Sequence, residues 1–146
     1  MEIIQINAEA TVFLSPSIDD WAPIEKLQIS AVIDMDGDLD IGCPVVPNHM
    51  LYIYFPIYDE DLPDLFKLHA IARLAASLVK SGHKVLSHCG LGFNRSALMS
   101  GLILVNLGMD GKDAVEILRQ KRPGALFNDQ FAEYLESMGP DSLPAL

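Results

Sequence analysis

The chain has 146 residues, which suits one folded domain with a core that needs no disulfide or metal to hold it together. Its 20 acidic and 10 basic side chains give a formal net charge of −10, which argues against long-range attraction to nucleic acid or to an anionic membrane surface. Half of the residues are hydrophobic, yet the longest apolar run, 97–105, is too short to cross a bilayer, and the start Met-Glu-Ile-Ile predicts no signal peptide.

Strand-like runs and helical periodicity alternate along the chain. Strands are predicted at 2–6, 11–14, 30–34, 51–57 and 84–87. Helices are predicted from a cap at Asp19 or Asp20 to residue 27, and at 63–81, 95–107, 112–121 and 128–138. The interleaving predicts one α/β domain over 1–146, with helices on both faces of a sheet and a frayed tail at 139–146.

A loop rich in glycine joins the predicted strand 84–87 to the predicted helix 95–107. Its sequence is His88-Cys89-Gly90-Leu91-Gly92-Phe93-Asn94-Arg95-Ser96. Successive amide N–H groups of such a loop, with those of the following helix start, can surround a phosphate, and the two glycines permit the tight backbone. Arg95 can offer two parallel hydrogen bonds to phosphoryl oxygens. The segment therefore predicts a phosphate-binding loop.

The same groups favour ionisation of the Cys89 thiol, since amides, a helix start and a guanidinium all stabilise negative charge. The thiolate could then attack phosphorus and form a phosphocysteine. We expect Ser96 to donate a hydrogen bond to the sulfur when it leaves, and His88 to brace the backbone of the loop. Without the loop amides, the helix start and the guanidinium around it, Cys89 would be an ordinary buried cysteine.

The string His-Cys-x5-Arg-Ser resembles the signature of the protein tyrosine phosphatase superfamily, and the flanking features are similar to its small dual-specificity branch. The resemblance runs from about Thr11 to Met138. It implies a twisted sheet of four to five strands with helices on both sides. It also implies hydrolysis of phosphomonoesters without a metal or another cofactor.

The resemblance implies an aspartate general acid on a loop that precedes the cysteine. Asp59, in Phe-Pro-Ile-Tyr-Asp, is our first choice and Asp61 our second; a solvated turn with Asp61 as helix cap is the structural alternative. The Arg-Pro-Gly-Ala segment from Arg122 resembles another family element. After it, Asn128 or Gln130 could orient water or the loop, although each could equally be a cap or a surface residue.

An acidic run after the predicted strand 30–34 suggests two other sites. Asp34 and Asp36, in Asp-x-Asp-Gly, resemble the nucleophile and acid of haloacid-dehalogenase-type phosphatases, but no later Gly-Asp-x3-Asp cluster follows. Asp34, Asp36, Asp38 and Asp40 alternate as in a calcium loop, but Gly37 and the twelfth position do not fit. We therefore expect no metal, and an acidic hairpin near the mouth of the active site.

Three other functions remain open at this point. Gly92 to Arg95 resembles the loop of RNA 5′-triphosphatases, although the charge of −10 disfavours RNA. A pseudophosphatase that only binds phosphorylated partners would lack turnover. Phosphoinositide specificity is disfavoured because Gly90, Leu91, Phe93 and Asn94 add no basic side chain to the loop.

Our prediction is a monomeric, cytoplasmic phosphatase that acts on phosphotyrosine in a protein or peptide, with phosphoserine and phosphothreonine as further candidates. Phosphate and vanadate should bind the loop, whereas nucleic acid and membranes should not bind. Leu91 and Phe93 either flank the entrance or pack against the next helix. Of the two cysteines, Cys43 is expected to be a buried thiol rather than a disulfide partner of oxidised Cys89.

Overall fold

A computed structural model describes residues 1–145 as an α/β fold around one sheet. Its five strands are β1 (Ile4–Gln5), β2 (Val12–Ser15), β3 (Ala31–Asp34), β4 (Leu51–Tyr54) and β5 (Val85–His88), in the spatial order β1-β2-β5-β3-β4. Only β1 is antiparallel to its neighbour. All residues of β2, β3 and β5 are buried, as in a parallel sheet that is covered on both faces.

Five helices cover the sheet: α1 (Ala22–Lys26), α2 (Leu65–Lys80), α3 (Arg95–Asn106), α4 (Gly111–Lys121) and α5 (Asp129–Glu136). The larger hydrophobic cluster joins the sheet to α2, α3, α4 and α5, and residues 96–105 of α3 are all buried in it. On the other face, Phe13, Val32 and Leu86 pack with Trp21 and Ile24. Because successive strand residues point to opposite faces, two cores form, and the predicted α/β architecture is confirmed.

Some predicted boundaries were wrong. Strand β4 ends at Tyr54 rather than at 57. Helix α2 is capped by Asp64, whose side chain accepts the N–H of Lys67 (3.1 Å), so Asp61 is not the cap. Asp20 accepts the N–H of Ala22 (3.0 Å), while the N-cap position of α1 is Trp21.

The acidic segment after β3 is not a hairpin. Strands β3 and β4 pair in parallel, so residues 35–50 must return to the opposite edge of the sheet before β4 begins. At the other end of the chain, the segment predicted to fray contains a 3-10 turn, Pro140–Ser142, in which the Gly139 N–H contacts Ser142 Oγ (2.9 Å). Leu146, the end of that predicted tail, lies outside the described residues. Within residues 1–145, no helix has the length and apolar character that a bilayer requires.

The register of the sheet assembles the candidate site. Ser15, Asp34 and His88, the last residues of β2, β3 and β5, are paired across the three parallel strands. The segments that follow these strands, 16–20, 35–50 and 89–94, therefore begin at the same edge of the sheet. The segment 55–64 after β4 begins there too, because β4 is parallel to β3.

Helix α5 is held against α4 by a close backbone approach at Gly111, whose N–H donates to Met138 O (2.9 Å). A Cβ at Gly111 would lie 1.9 Å from Leu135 O. We therefore expect Gly111→Ala to lower the free energy of unfolding by about 3 kcal/mol. Denaturant unfolding measures the change. Gly139→Ala is the matched control, since its Cβ would meet only Ser142 Oγ at 3.6 Å, and equal midpoints for the two variants would contradict the expectation.

Candidate active site

The loop 89–94 between β5 and α3 has its carbonyl groups turned outward. They are bound from three distant segments: Gly90 O by the Ser17 N–H (3.1 Å), Leu91 O by Arg122 Nη2 (2.8 Å) and Phe93 O by the Leu126 N–H (2.8 Å). The carbonyl and the N–H of one planar trans peptide point in opposite directions, so the amides that follow these carbonyls point inward. Among the described residues, the N–H groups of 90–94 have no acceptor. They form a ring of free donors suited to an anion.

Gly92 cannot be replaced in this loop without strain. Its φ is +76°, and a Cβ would lie 3.0 Å from the backbone nitrogen of Pro16. A side chain would therefore meet both an unfavourable backbone conformation and the segment that follows β2. Glycine here lets the loop lie against that segment.

Cys89 lies at the base of the loop and is 2% exposed. Its Sγ is 3.2 Å from the Oγ of Ser96, which lies in the first turn of α3 and is fully buried. The hydroxyl is within hydrogen-bond distance of the sulfur, where it can stabilise negative charge.

Arg95 is the first residue of α3, and its guanidinium lies over the loop. A Cβ on Gly90 would be 3.3 Å from Arg95 Nη2. Nη1 has only long contacts, to Met35 O (3.5 Å), Ile57 O (3.4 Å) and Asp36 Oδ1 (3.4 Å), and buried Nε has no partner among the described residues. The guanidinium is thus positioned but retains hydrogen-bonding capacity for an anion.

Asp59 is connected to the loop 89–94 by two asparagines. Its Oδ2 accepts from Asn94 Nδ2 (2.9 Å), and its Oδ1 accepts from Asn128 Nδ2 (2.8 Å). The N–H of Asn128 in turn donates to Asn94 Oδ1 (3.0 Å). Asn128 is also the N-cap of α5, where it accepts the N–H of Phe131 (3.3 Å). One side chain thus caps a helix and orients the carboxyl of Asp59.

The two candidate acids lie in different depressions. Asp59 and Arg95 line one cavity of about 500 Å³. Asp61 lines a neighbouring one of about 250 Å³ with Glu60, and its Oδ1 accepts from Gln130 Nε2 (2.9 Å). The geometry therefore places Asp59, and not Asp61, beside the guanidinium.

His88 does not brace the loop backbone, contrary to the prediction. Its Nε2 is 2.5 Å from Asp40 Oδ2 and 3.6 Å from Asp34 Oδ1, while Nδ1 has no partner within residues 1–145. Tyr52 donates its hydroxyl hydrogen to Asp34 and accepts the N–H of Asp40 (2.9 Å). Burial raises the pKa of Asp40, although His88 opposes that shift, and burial together with the bond to Asp34 raises the pKa of Tyr52. The imidazole is held by carboxylates because β3 lies beside β5.

This buried group is also the candidate metal-ligand set within residues 1–145. One ligand atom each of Asp34, Asp40 and His88 lies within 4.8 Å of the others. The ligand atoms of Asp40 and His88 are already hydrogen-bonded to each other, and the Tyr52 hydroxyl donates a hydrogen bond to Asp34. The donors thus satisfy one another, which does not fit an ion-binding cavity.

The remaining predicted residues surround the loop. Leu91 is 70% exposed. The guanidinium of Arg122 lies over the ring of Phe93, 4.1 Å from the ring centre, and the ring of Phe127 lies beside it. Cys43 is half-buried rather than buried as predicted, and it packs against the cluster under α1, whereas Cys89 belongs to the other cluster. Burial raises the pKa of the Cys43 thiol.

Sequence reasoning gave no site role to Ser17 and Arg122, and it considered Asp36 only for metal-dependent sites and not for this loop. All three contact the loop or its arginine. A sequence feature could have indicated Asp36, because it follows a predicted buried strand, and parallel strands such as β3 and β5 end at the same edge of a sheet. No sequence signal indicates the hydrogen bonds of Ser17, because they depend on how β2 pairs with β5.

Comparisons with known proteins agree with this geometry. The family model described as "Dual specificity phosphatase, catalytic domain" matches residues 12–139. Human protein tyrosine phosphatase type IVA 3 is 39% identical over 121 residues, which are 83% of this chain and 58% of the relative. Type IVA 2 of Mus musculus is 33% identical over 121 residues, which are 83% of this chain and 60% of that relative. The matched part of the chain thus spans about three-fifths of these relatives.

Solved structures share the fold. The crystal structure of human DUSP28 has a TM-score of 0.75 at 19% identity, covering 92% of this chain and 90% of that one. The Yvh1 phosphatase domain from Chaetomium thermophilum has a TM-score of 0.74 at 22% identity, covering 92% and 94%. The matching family model, the relatives and the shared fold lead to one conclusion: the chain belongs to the dual-specificity phosphatases of the cysteine-based protein tyrosine phosphatase superfamily.

Proposed function

We propose that this chain hydrolyses phosphomonoesters, most of all phosphotyrosine in proteins, through a phosphocysteine on Cys89 and without a metal. Phosphoserine and phosphothreonine are further candidate substrates. The observation that carries the proposal is the ring of inward amides around Cys89, completed by Arg95 at the start of α3. These groups supply the positive potential for a phosphoryl group from within the chain.

In the first step, the Cys89 thiolate attacks phosphorus, so that an S–P bond forms and the P–O bond to the substrate breaks. Arg95 and the loop amides bind the three equatorial oxygens, where negative charge is spread in the transition state. Asp59 gives its proton to the leaving oxygen. Its place in the cavity that contains Arg95 supports this role over Asp61.

In the second step, water attacks the phosphocysteine and the S–P bond breaks. Asp59, now a carboxylate, takes a proton from the water, and phosphate leaves. Ser96 Oγ, 3.2 Å from the sulfur, donates a hydrogen bond to the departing thiolate. Asn94 and Asn128 keep Asp59 oriented through both steps, and Gln130 holds the same loop through Asp61.

The proposed setting is a single domain that works as a cytoplasmic monomer on phosphorylated proteins or peptides. Two cysteines that pack in separate clusters suit a reducing compartment. The net charge of −10 disfavours nucleic acid and anionic membranes as partners. Phosphate and vanadate are the simple anions expected to bind the loop.

Cys89→Ser tests the nucleophile. Because a serine hydroxyl is not ionised at neutral pH, turnover of p-nitrophenyl phosphate with chelator present should fall by at least about 10⁴-fold. The fold and vanadate binding should persist, since amides and Arg95 supply the anion site. Circular dichroism and calorimetry measure these two properties. Substantial residual turnover would contradict the proposal, and saturable binding without turnover by the unaltered chain would favour a pseudophosphatase.

Asp59→Asn tests the acid. The variant cannot protonate the leaving group, so the rate should fall by roughly 10²- to 10³-fold and the basic limb of the pH–rate profile should flatten. Asp61→Asn is the matched control and should keep that limb. The assignment is wrong if Asp61→Asn loses rate and flattens the basic limb while Asp59→Asn keeps it. A full rate in Asp59→Asn would instead favour the RNA triphosphatase alternative.

Asn128→Ser tests the orientation of the acid. Serine preserves a cap for α5 but is too short to keep the bond to Asp59, so we expect kcat to fall roughly tenfold to a hundredfold. Gln130→Ala, which removes only the bond to Asp61, should change kcat by less than about twofold. Steady-state kinetics with an aryl phosphate measure both, and equal effects would refute a specific role for Asn128.

A further inference from the structure

The cavity that contains Arg95 carries a second recognition feature beside the phosphate-binding loop. It measures about 500 Å³ and is lined by Asp36, Gly37, Pro56, Ile57, Tyr58, Asp59 and Arg95. The phosphotyrosine itself would occupy the part of this cavity between Arg95 and Asp59. We propose that the wall beside it, formed by Asp36, Gly37 and Tyr58, is a subsite for a cationic side chain, so that the substrate is a phosphopeptide with lysine or arginine next to its phosphotyrosine. The inference rests on the proposed function and names its substrate class.

Asp36 is the residue that gives the cavity this preference. Its Oδ1 is 3.4 Å from Arg95 Nη1, its Oδ2 accepts from Ser17 Oγ (3.3 Å), and its side chain is 29% exposed. The carboxylate also borders the loop, since a Cβ on Gly90 would be 3.8 Å from it. Asp36 therefore lies where the phosphate and its arginine must meet.

Binding of a phosphate changes the charge balance around Asp36. A phosphoryl group can bind the remaining N–H groups of Arg95 with short, paired hydrogen bonds, while Nη1 keeps only its long contact to Asp36. Asp36 then shares its one neighbouring cation with a dianion, and like-charge repulsion disfavours that arrangement. A substrate that brings its own ammonium or guanidinium restores a partner to Asp36, whereas an acidic substrate adds to the repulsion.

The other walls of the cavity suit a long cationic side chain. Pro56 and Ile57 offer apolar surface for the methylene stem of lysine or arginine. The ring of Tyr58 is 82% exposed and can contact the charged head through its face. The Tyr54 hydroxyl donates to Gly37 O (2.7 Å), which fixes the wall that carries Asp36.

The surrounding segments reinforce the same preference. Residues 16–20, 35–42 and 55–64 follow strands β2, β3 and β4, and they contain acidic residues but no lysine or arginine. At an ionic strength near 0.15 M, charges within about 8 Å still interact, so residues flanking the phosphotyrosine experience this field. The preference should weaken as salt is added.

The test uses three phosphotyrosine peptides that differ only in the flanking residues, with two arginines, two glutamines or two glutamates on each side. At low salt, kcat/KM should fall from arginine to glutamine to glutamate, by roughly fivefold or more at each step. The differences should shrink in 0.5 M NaCl. Equal values, or the reverse order, would overturn the inference.

Two variants assign the preference to the cavity. Asp36→Asn should reduce about fivefold the ratio of kcat/KM for the arginine peptide to kcat/KM for the glutamate peptide. Glu9→Gln is an equal change of charge in the turn before β2, at the opposite edge of the sheet, and it should leave this ratio unchanged. If Asp36→Asn fails to fold, Tyr58→Ala replaces it and should lower the ratio by removing the exposed ring. An unchanged ratio in the cavity variant, or an equal loss in Glu9→Gln, would refute the assignment.

Two further measurements separate this inference from the proposed function. Turnover of p-nitrophenyl phosphate, which has no flanking charge, reports the proposed function alone. Fluorescence anisotropy of the three labelled peptides with the Cys89→Ser protein reports the preference without catalysis. Equal affinities of the Cys89→Ser protein for the three peptides would overturn the subsite even if the aryl phosphate is hydrolysed. Affinities that fall from the arginine to the glutamate peptide would support the subsite even if the aryl phosphate is not hydrolysed.

Discussion

The outward anchoring of the loop 89–94 is the constraint on which the rest of the structure depends. Ser17, Arg122 and Leu126 bind its carbonyl groups from three separate segments, so the planar peptides must turn their N–H groups inward. A flexible loop would have to order these donors at the moment an anion binds, at a cost in conformational entropy. Here folding of the whole domain orders them beforehand, which is the basis of electrostatic preorganisation.

A net charge of −10 does not preclude an anion site at the loop 89–94, because interactions at contact distance outweigh the mean field of the chain. The positive groups at the loop are few, namely amide dipoles, the start of α3 and Arg95. The acidic residues stand outside them, with Asp36 and Asp59 across one cavity. The hydrogen-bond donors are thereby concentrated at the loop, while carboxylates line the adjoining cavity.

Asn94 connects the loop 89–94 to Asp59. It lies in the loop, yet its side chain binds Asp59 and accepts the N–H of Asn128 at the start of α5. Asn94, Asp59 and Asn128 thus form one hydrogen-bonded triangle at the start of α5. His88 belongs to a separate buried network behind the loop, with Asp34, Asp40 and Tyr52.

The sequence by itself determined what depends on local order along the chain. The spacing from Cys89 to Arg95, between a strand and a helix, predicts a phosphate-binding loop because neighbours in sequence there are neighbours in space. The buried strands and the long helices follow from periodicity in the same way. Tertiary structure alone decided that Asp40 holds His88, that Asp36 reaches Arg95 and that the acidic segment joins parallel strands. These contacts depend on β3 lying between β5 and β4, and strand order is a property of the packed sheet that no local pattern encodes.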